Sequence, residues 1–161
     1  MRPVAALEGG LAGAFALTAV HQLVKRAIPQ APRLDLLGMA ALSKLLKSVG
    51  KNPPREQSLY YITMAGDIVS NSLYYSLAGV GKKKNSLLRG SVLGLAAGLG
   101  AIFLPEPLGL NASYSKRTVP TQIMTIAWYT LGGFVSALIM KKLESRREAK
   151  DDGMVEKAAL H

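Results

Sequence analysis

Five polar side chains recur at helical spacing within one otherwise apolar stretch: Thr63, Asp67, Ser70, Asn71 and Tyr74. Asp67 falls about nine residues into that stretch, roughly 14 Å along a helix axis. A carboxylate at that depth of a bilayer costs several kcal/mol unless it is paired or hydrated. It must therefore face a bundle interior, a cavity or another chain. Burial favours the protonated form of a carboxyl, so such a group can exchange protons near neutral pH or hold a cation. A second apolar stretch carries an uncharged counterpart: Gln122, Thr125, Tyr129 and Ser136. The two stripes together predict one polar seam built from Asp67, Ser70, Asn71, Tyr74, Tyr75, Thr125 and Tyr129. Only one wall of it bears an acid, which suits a specialised site better than a symmetric pore.

Two further titratable features stand near the ends of apolar segments. His21 precedes Gln22 and Lys25, where it is placed to relay protons or meet a lipid headgroup. Glu8 and Arg89 occupy corresponding positions in two segments, and an ion pair between them would neutralise two charges near one membrane face. Lys25, Arg26, Arg33, Lys116 and Arg117 gather toward the opposite face, where lipid phosphates are their expected partners. Trp128 and the tyrosines are expected to pack or to anchor at the interface.

Enzymatic signatures are sparse. The chain has no phosphate-binding Gly-Lys-Ser/Thr loop, no Gly-x-Ser-x-Gly elbow and no HExxH sequence. It contains no cysteine and two histidines, His21 and the terminal His161, which reads as a possible tag remnant. Disulfides, thiolate ligands and a cysteine nucleophile are excluded, and no metal or other cofactor is expected. Asn111-Ala112-Ser113 matches a glycosylation acceptor, a pattern common by chance.

These residues need elements to position them, and the charge distribution defines those elements. Lys and Arg number 20 against 10 Asp and Glu, for a net charge of +10. The basic residues flank long apolar runs instead of forming a nucleic-acid-binding stripe, so the expected partner is the membrane and not nucleic acid. Four runs are long enough to span: residues 4–24, 58–80, 86–104 and 121–140. Glu8 interrupts what would be the apolar core of a signal peptide, so the first run is expected to be retained as a span. Residues 34–49 are too short and too charged to cross. Leu34, Leu37, Ala41, Leu42, Leu45 and Val49 share one helical face while Asp35, Ser43, Lys44 and Lys47 share the other, which predicts an interfacial amphipathic helix. Residues 141–161 mix both signs of charge and read as a solvated extension of the last helix that frays toward its end.

The halves resemble one another. Leu7-Glu8-Gly9 with Gly13 matches Leu88-Arg89-Gly90 with Gly94, and Tyr75-Ser76-Leu77-Ala78-Gly79 matches Tyr129-Thr130-Leu131-Gly132-Gly133. That order suggests two parallel helical hairpins with the amphipathic helix inserted into the first. Gly9 and Gly13, like Gly90, Gly94 and Gly98, recur at four-residue spacing, which lets helix backbones approach closely in lipid.

The sequence thus predicts an all-α integral membrane protein, a single domain with a four-transmembrane-helix bundle and one interfacial helix. A homo-oligomer formed through the glycine faces is expected, and a separate protein partner is compatible with them. Lys82–Lys84 and Lys141–Lys142 beside span ends favour both termini in the cytoplasm, in a bacterial inner membrane, while the near balance of the basic loops leaves the opposite orientation open. The functional expectation is a small transporter or channel-like protein centred on Asp67 and Asn71. The rivals are a membrane-embedded enzyme acting on a lipid-linked substrate and an assembly subunit of a membrane complex. Whether the chain is an enzyme at all is left open by its residues.

Overall fold

A computed structural model describes residues 1–159, with side chains described through Met154; His161 lies outside the described residues. The chain is all-helical, with no strand among those residues. Its helices are α1 (Pro3–Ala27), α2 (Leu34–Ser48), α3 (Glu56–Ser76), α4 (Ser86–Phe103), the short α5 (Ser113–Lys116) and α6 (Val119–Ala159).

Local chemistry sets most of these limits. Pro3 opens α1, where a missing N–H costs nothing. Lys25 and Arg26 close it beside the negative end of its dipole, and Pro29 follows. Asp35 occupies the first turn of α2, where the dipole favours an anion. Gly50, at a φ of 74°, turns the chain out of that helix. Pro53 and Pro54 precede α3, and Pro105 follows α4.

Among the described residues, three helices are long and apolar enough to cross a membrane: Pro3–Ala27, Lys83–Phe103 and Val119–Met154. That makes this a membrane protein by length and composition. The second expected span, α3, is not among the three. Its 21 residues would reach about 31 Å, but Thr63, Asp67, Ser70, Asn71, Ser72 and Ser76 dilute its apolar content.

α1 packs antiparallel against α3, α4 against α6, and α1 against α6. Glycine makes the last two contacts close. A Cβ added at Gly94 would stand 2.5 Å from the Tyr129 carbonyl, and one at Gly98 would stand 2.8 Å from the Ile126 Cα. Gly90 meets Gly133 backbone to backbone, and Gly13 meets Gly132 and Ser136 in the same way. A Cβ at Gly9 would stand 2.7 Å from the Ser136 carbonyl. All five predicted packing glycines therefore lie against α6 of their own chain.

Large apolar side chains instead cover the outside. Leu11 and Phe15 of α1, Ile62 and Val69 of α3, Val92 and Phe103 of α4, and Ile123 and Phe134 of α6 are all exposed. Contiguous apolar surface on this scale is rare in a soluble monomer and normal against lipid.

The last helix continues past Met140, as the expected extension requires, but its charged turns are not merely solvated. Both Glu144 carboxylate oxygens accept the Arg2 backbone N–H, at 3.1 and 3.2 Å, and Glu144 is buried. Arg147 pairs with Glu8 at 2.8 Å, Lys83 pairs with Glu148, and the Arg2 guanidinium pairs with Asp151. The expected Glu8–Arg89 pair is thereby corrected. Glu8 is taken by the helical extension, while Arg89 donates to the carbonyls of Ala78 at 3.1 Å and Lys82 at 3.0 Å, capping the turn between α3 and α4.

Candidate functional site

At the loop end of the bundle, α1, α2, α3 and α6 enclose a cavity of about 20 Å³. Its walls include Thr18 and His21 from α1, Asp35 from α2, Asp67 and Asn71 from α3, and Tyr129 from α6. A polar space of that size holds about one water molecule.

Each helix has a reason to present these groups. Gly38 of α2 lets α3 approach, since a Cβ there would lie 2.7 Å from the Thr63 methyl and 3.2 Å from Asp67 Oδ2. Asn71 donates its amide to the Asp67 carbonyl one turn back, at 2.8 Å, which orients it along α3. His21 is held beside the Trp128 ring, centroids 5.8 Å apart, and is only 4% exposed. It is therefore not presented to headgroups. Its Nε2 lies 3.6 Å from Asp35 Oδ1, too far for a hydrogen bond, and has no other partner among the described residues.

Asp35 is the most strongly bound acid among the described residues. Lys25 donates to it at 3.0 Å, and Arg33 forks onto both of its oxygens at 3.1 Å. Burial pushes the Asp35 carboxyl up, but His21, Arg33 and Lys25 around it outweigh that effect and hold it well below the usual carboxylate range. Asp35 stays ionised, and two cations are spent on it. Asp67 is treated differently. Among the described residues its carboxylate receives no hydrogen bond and no ion pair, although its backbone carbonyl is used by Ser70 and Asn71.

The predicted seam separates into parts. Asp67, Asn71 and Tyr129 meet at the cavity. Ser70 and Tyr74, with Asn71 and Tyr129 again, line a larger groove of about 470 Å³ between α3 and α4. Tyr75 and Thr125 line neither. The Tyr75 hydroxyl donates to the Tyr129 carbonyl at 2.9 Å, deep in the α1–α6 contact. Thr125 Oγ1 lies 2.8 Å from the Thr121 carbonyl and 2.9 Å from that of Ser115, fastening α5 to α6. Both hydroxyls are taken up by backbone carbonyls at helix contacts and so serve packing.

Several basic residues expected on lipid phosphates also have protein partners. Lys25 and Arg33 hold Asp35, Lys116 pairs with Glu106, and Arg117 donates to the Pro29 carbonyl at 2.6 Å. α2 packs on the bundle at its start and leaves apolar side chains outward at its end. Leu34, Asp35 and Met39 are buried against the bundle, while Leu45 and Val49 remain exposed.

Asp35 is the functional candidate that sequence reasoning missed. It was read as part of the solvated face of α2. One signal was available: it is the sole acid between Glu8 and Glu56, in a stretch rich in Lys and Arg. No trio of His, Asp or Glu among the described residues is gathered tightly enough to hold a metal ion. Known protein families, curated proteins and solved structures contain no match to this chain.

Proposed function

We propose that this chain is a small membrane transporter or channel-like protein in which Asp67 is the proton- or cation-handling group. The observation that carries this reading is the Asp67 carboxylate: unpaired among the described residues, midway along α3, and facing a polar cavity shared with His21. An unpaired carboxyl inside a helical bundle is costly to ionise and marks ion pathways in membrane proteins. His21 lines the same cavity and its Nε2 has no hydrogen-bond partner among the described residues, which suits it to pass protons to and from Asp67. Asp35 lies between this cavity and an outer cleft lined by Arg33, Glu56 and Tyr60, giving the pair a route toward water.

The reading takes α3 as a fourth span. Its support is the exposed apolar face of Tyr61, Ile62, Val69 and Leu73, and packing along the length of α1, from Gln22 beside Met64 to Gly10 beside Ser72. The α1–α3 and α4–α6 pairs then form the two hairpins of the suggested repeat. Lys82–Lys84 and Lys141–Lys142 beside span ends favour both termini in the cytoplasm, consistent with a bacterial inner membrane. Membrane lipid is the proposed surrounding partner.

The test is proton flux in liposomes loaded with a pH-sensitive dye. Protein reconstituted at known density is expected to dissipate an imposed pH gradient. Asp67→Asn is expected to lower that rate tenfold or more, and Asp67→Glu to retain part of it. Equal rates for wild type and Asp67→Asn would remove the proposal.

A further inference from the structure

The part of α6 beyond Met140 has two unlike faces. Glu144, Glu148 and Asp151 follow one another at four- and three-residue spacing, so they share one side of the helix. That side meets the rest of the chain. Glu144 accepts the Arg2 backbone N–H, Glu148 pairs with Lys83, and Asp151 pairs with the Arg2 guanidinium. Arg147, at the edge of the same side, reaches Glu8. Asp152 stands one turn beyond Glu148 on that side as well. Lys142, Arg146 and Lys150 recur at four-residue spacing, and the helical repeat places them roughly opposite the acids. All three are exposed, and their side chains have no partner among the described residues. Ala149 and Gly153 fill the space between them, so no acid stands in that arc.

The charges at this end do not cancel. Residues 1–8, 81–89 and 141–154 hold ten Lys and Arg against five Asp and Glu. Each ion pair removes one of each, so the positive excess is the same whichever pairs form. Lys82 and Lys84 are exposed and likewise without a side-chain partner among the described residues. They flank Lys83, which meets the acidic side of α6, so the excess lies on both sides of that helix. A bilayer surface covers such a distribution, whereas a single acidic helix covers one side of it.

Position agrees. Like charges one turn apart repel along a helix, and the chain supplies no anion to relieve Lys142, Arg146 and Lys150. The apolar run of α6 ends at Met140. Lys142 lies roughly 3 Å beyond it along the axis, Arg146 about 9 Å and Lys150 about 15 Å. Headgroups extend about 5–8 Å beyond the hydrocarbon. The field of an anionic surface reaches about 8–10 Å further. The stripe thus starts among the headgroups and ends within reach of their field. Leu138, one turn before Lys142 on the same side, is exposed where acyl chains would meet it.

We infer that the outward face of the α6 extension docks on anionic phospholipid headgroups, with Lys142 and Arg146 on lipid phosphates and Lys150 held by the surface field. A zwitterionic headgroup brings no net charge to balance the excess. This face is at the opposite end of the bundle from the His21–Asp35 cluster, so the inference is independent of the proton-handling role of Asp67.

The chain has no cysteine, so Ser145→Cys gives a single attachment point for a fluorophore at an exposed position beside Arg146. The labelled full-length protein is placed in phosphatidylcholine nanodiscs. These contain a minor fraction of phosphatidylglycerol or phosphatidylcholine bearing the same nitroxide quencher near the top of one acyl chain. Quenching by phosphatidylglycerol is expected to be about fivefold stronger, the scale of one Lys or Arg close to an anionic surface. The difference is expected to shrink toward nothing in about 1 M salt. The triple variant Lys142→Gln, Arg146→Gln, Lys150→Gln is expected to erase it, with thermal melting as the check on folding. Removing as many cations at the loop end, with Arg26→Gln, Lys47→Gln and Lys51→Gln, is expected to leave it intact. Equal quenching by the two lipids would overturn the inference and favour an acidic protein partner for this face. A preference that survives in the folded α6 variant, or is lost equally in the loop-end variant, would overturn it as well.

Discussion

At the loop end of the bundle, Asp35 is 4% exposed and is held by Lys25 and Arg33, with His21 at its side. At the other end, Glu8 with Arg147 and Lys83 with Glu148 join the α6 extension to the N-terminus and to the α3–α4 turn, and these side chains stay 28–51% exposed. Both ends use the same few residue types. Burial separates them, because a charge taken out of water depends on its partners while a charge at the surface has water as an alternative. The loop end is therefore expected to be fixed by its ions, and the other end only guided by them.

The largest test of that contrast is Asp35→Asn. It strands Lys25 and Arg33 beside a neutral amide, and a loss of roughly 3 kcal/mol in folding stability is expected, from the cost of breaking a buried pair on one side. Thermal or denaturant unfolding in detergent measures it; a loss no larger than that of a surface pair would break the comparison. The same variant has a pH signature. The folded-state pKa of Asp35 lies below its unfolded value, so its contribution is fully present above the unfolded pKa, about 3.9, and is lost as pH falls toward the folded one. The gap between wild type and Asp35→Asn is expected to be constant from about pH 5 to 8 and to narrow in stronger acid.

An intermediate effect is expected of Glu144→Gln. Glu144 is the buried acid of the α6 extension and accepts a backbone N–H through both oxygens. Removing its charge is expected to cost about 1.5 kcal/mol, the scale of a hydrogen bond to a charged group. This variant sharpens the contrast, since it removes a buried anion from the otherwise exposed end. The smallest effect is expected of Glu8→Gln, about 0.5 kcal/mol, fading as salt is raised toward 1 M. A salt-independent loss above about 2 kcal/mol would show that the exposed network is not weak after all.

Much of the architecture was legible from runs and breaks. The amphipathic helix expected at residues 34–49 is found at Leu34–Ser48, and the run at 86–104 is found as Ser86–Phe103. Pro and Gly mark those limits chemically, so local rules suffice. The polar stripe of α3 was equally visible, because helical spacing places Asp67 and Asn71 on neighbouring turns. Which stripe residues meet was not. Tyr75 and Thr125 resemble their polar neighbours in type and spacing, yet each fastens a helix contact. Glu8 was matched to Arg89 by sequence symmetry, but Arg147, more than a hundred residues away, reaches it first. Pairing between distant charges depends on helix rotation and on where a long helix ends, and neither is encoded in local pattern.

By itself, the sequence determined that this chain is helical, that its apolar segments belong in a membrane, and that Asp67 is an acid needing an explanation. Those properties follow from composition and periodicity, which act within one helix. The tertiary structure alone decided that Asp35 is buried among cations while Asp67 is left without one. It also decided that the glycines are consumed inside the chain, and that α3 and α4 part to leave a groove behind Asn71. These outcomes depend on how closely backbones approach across space. One Gly38 or Gly94 contact sets that distance, and no reading of neighbouring residues contains it.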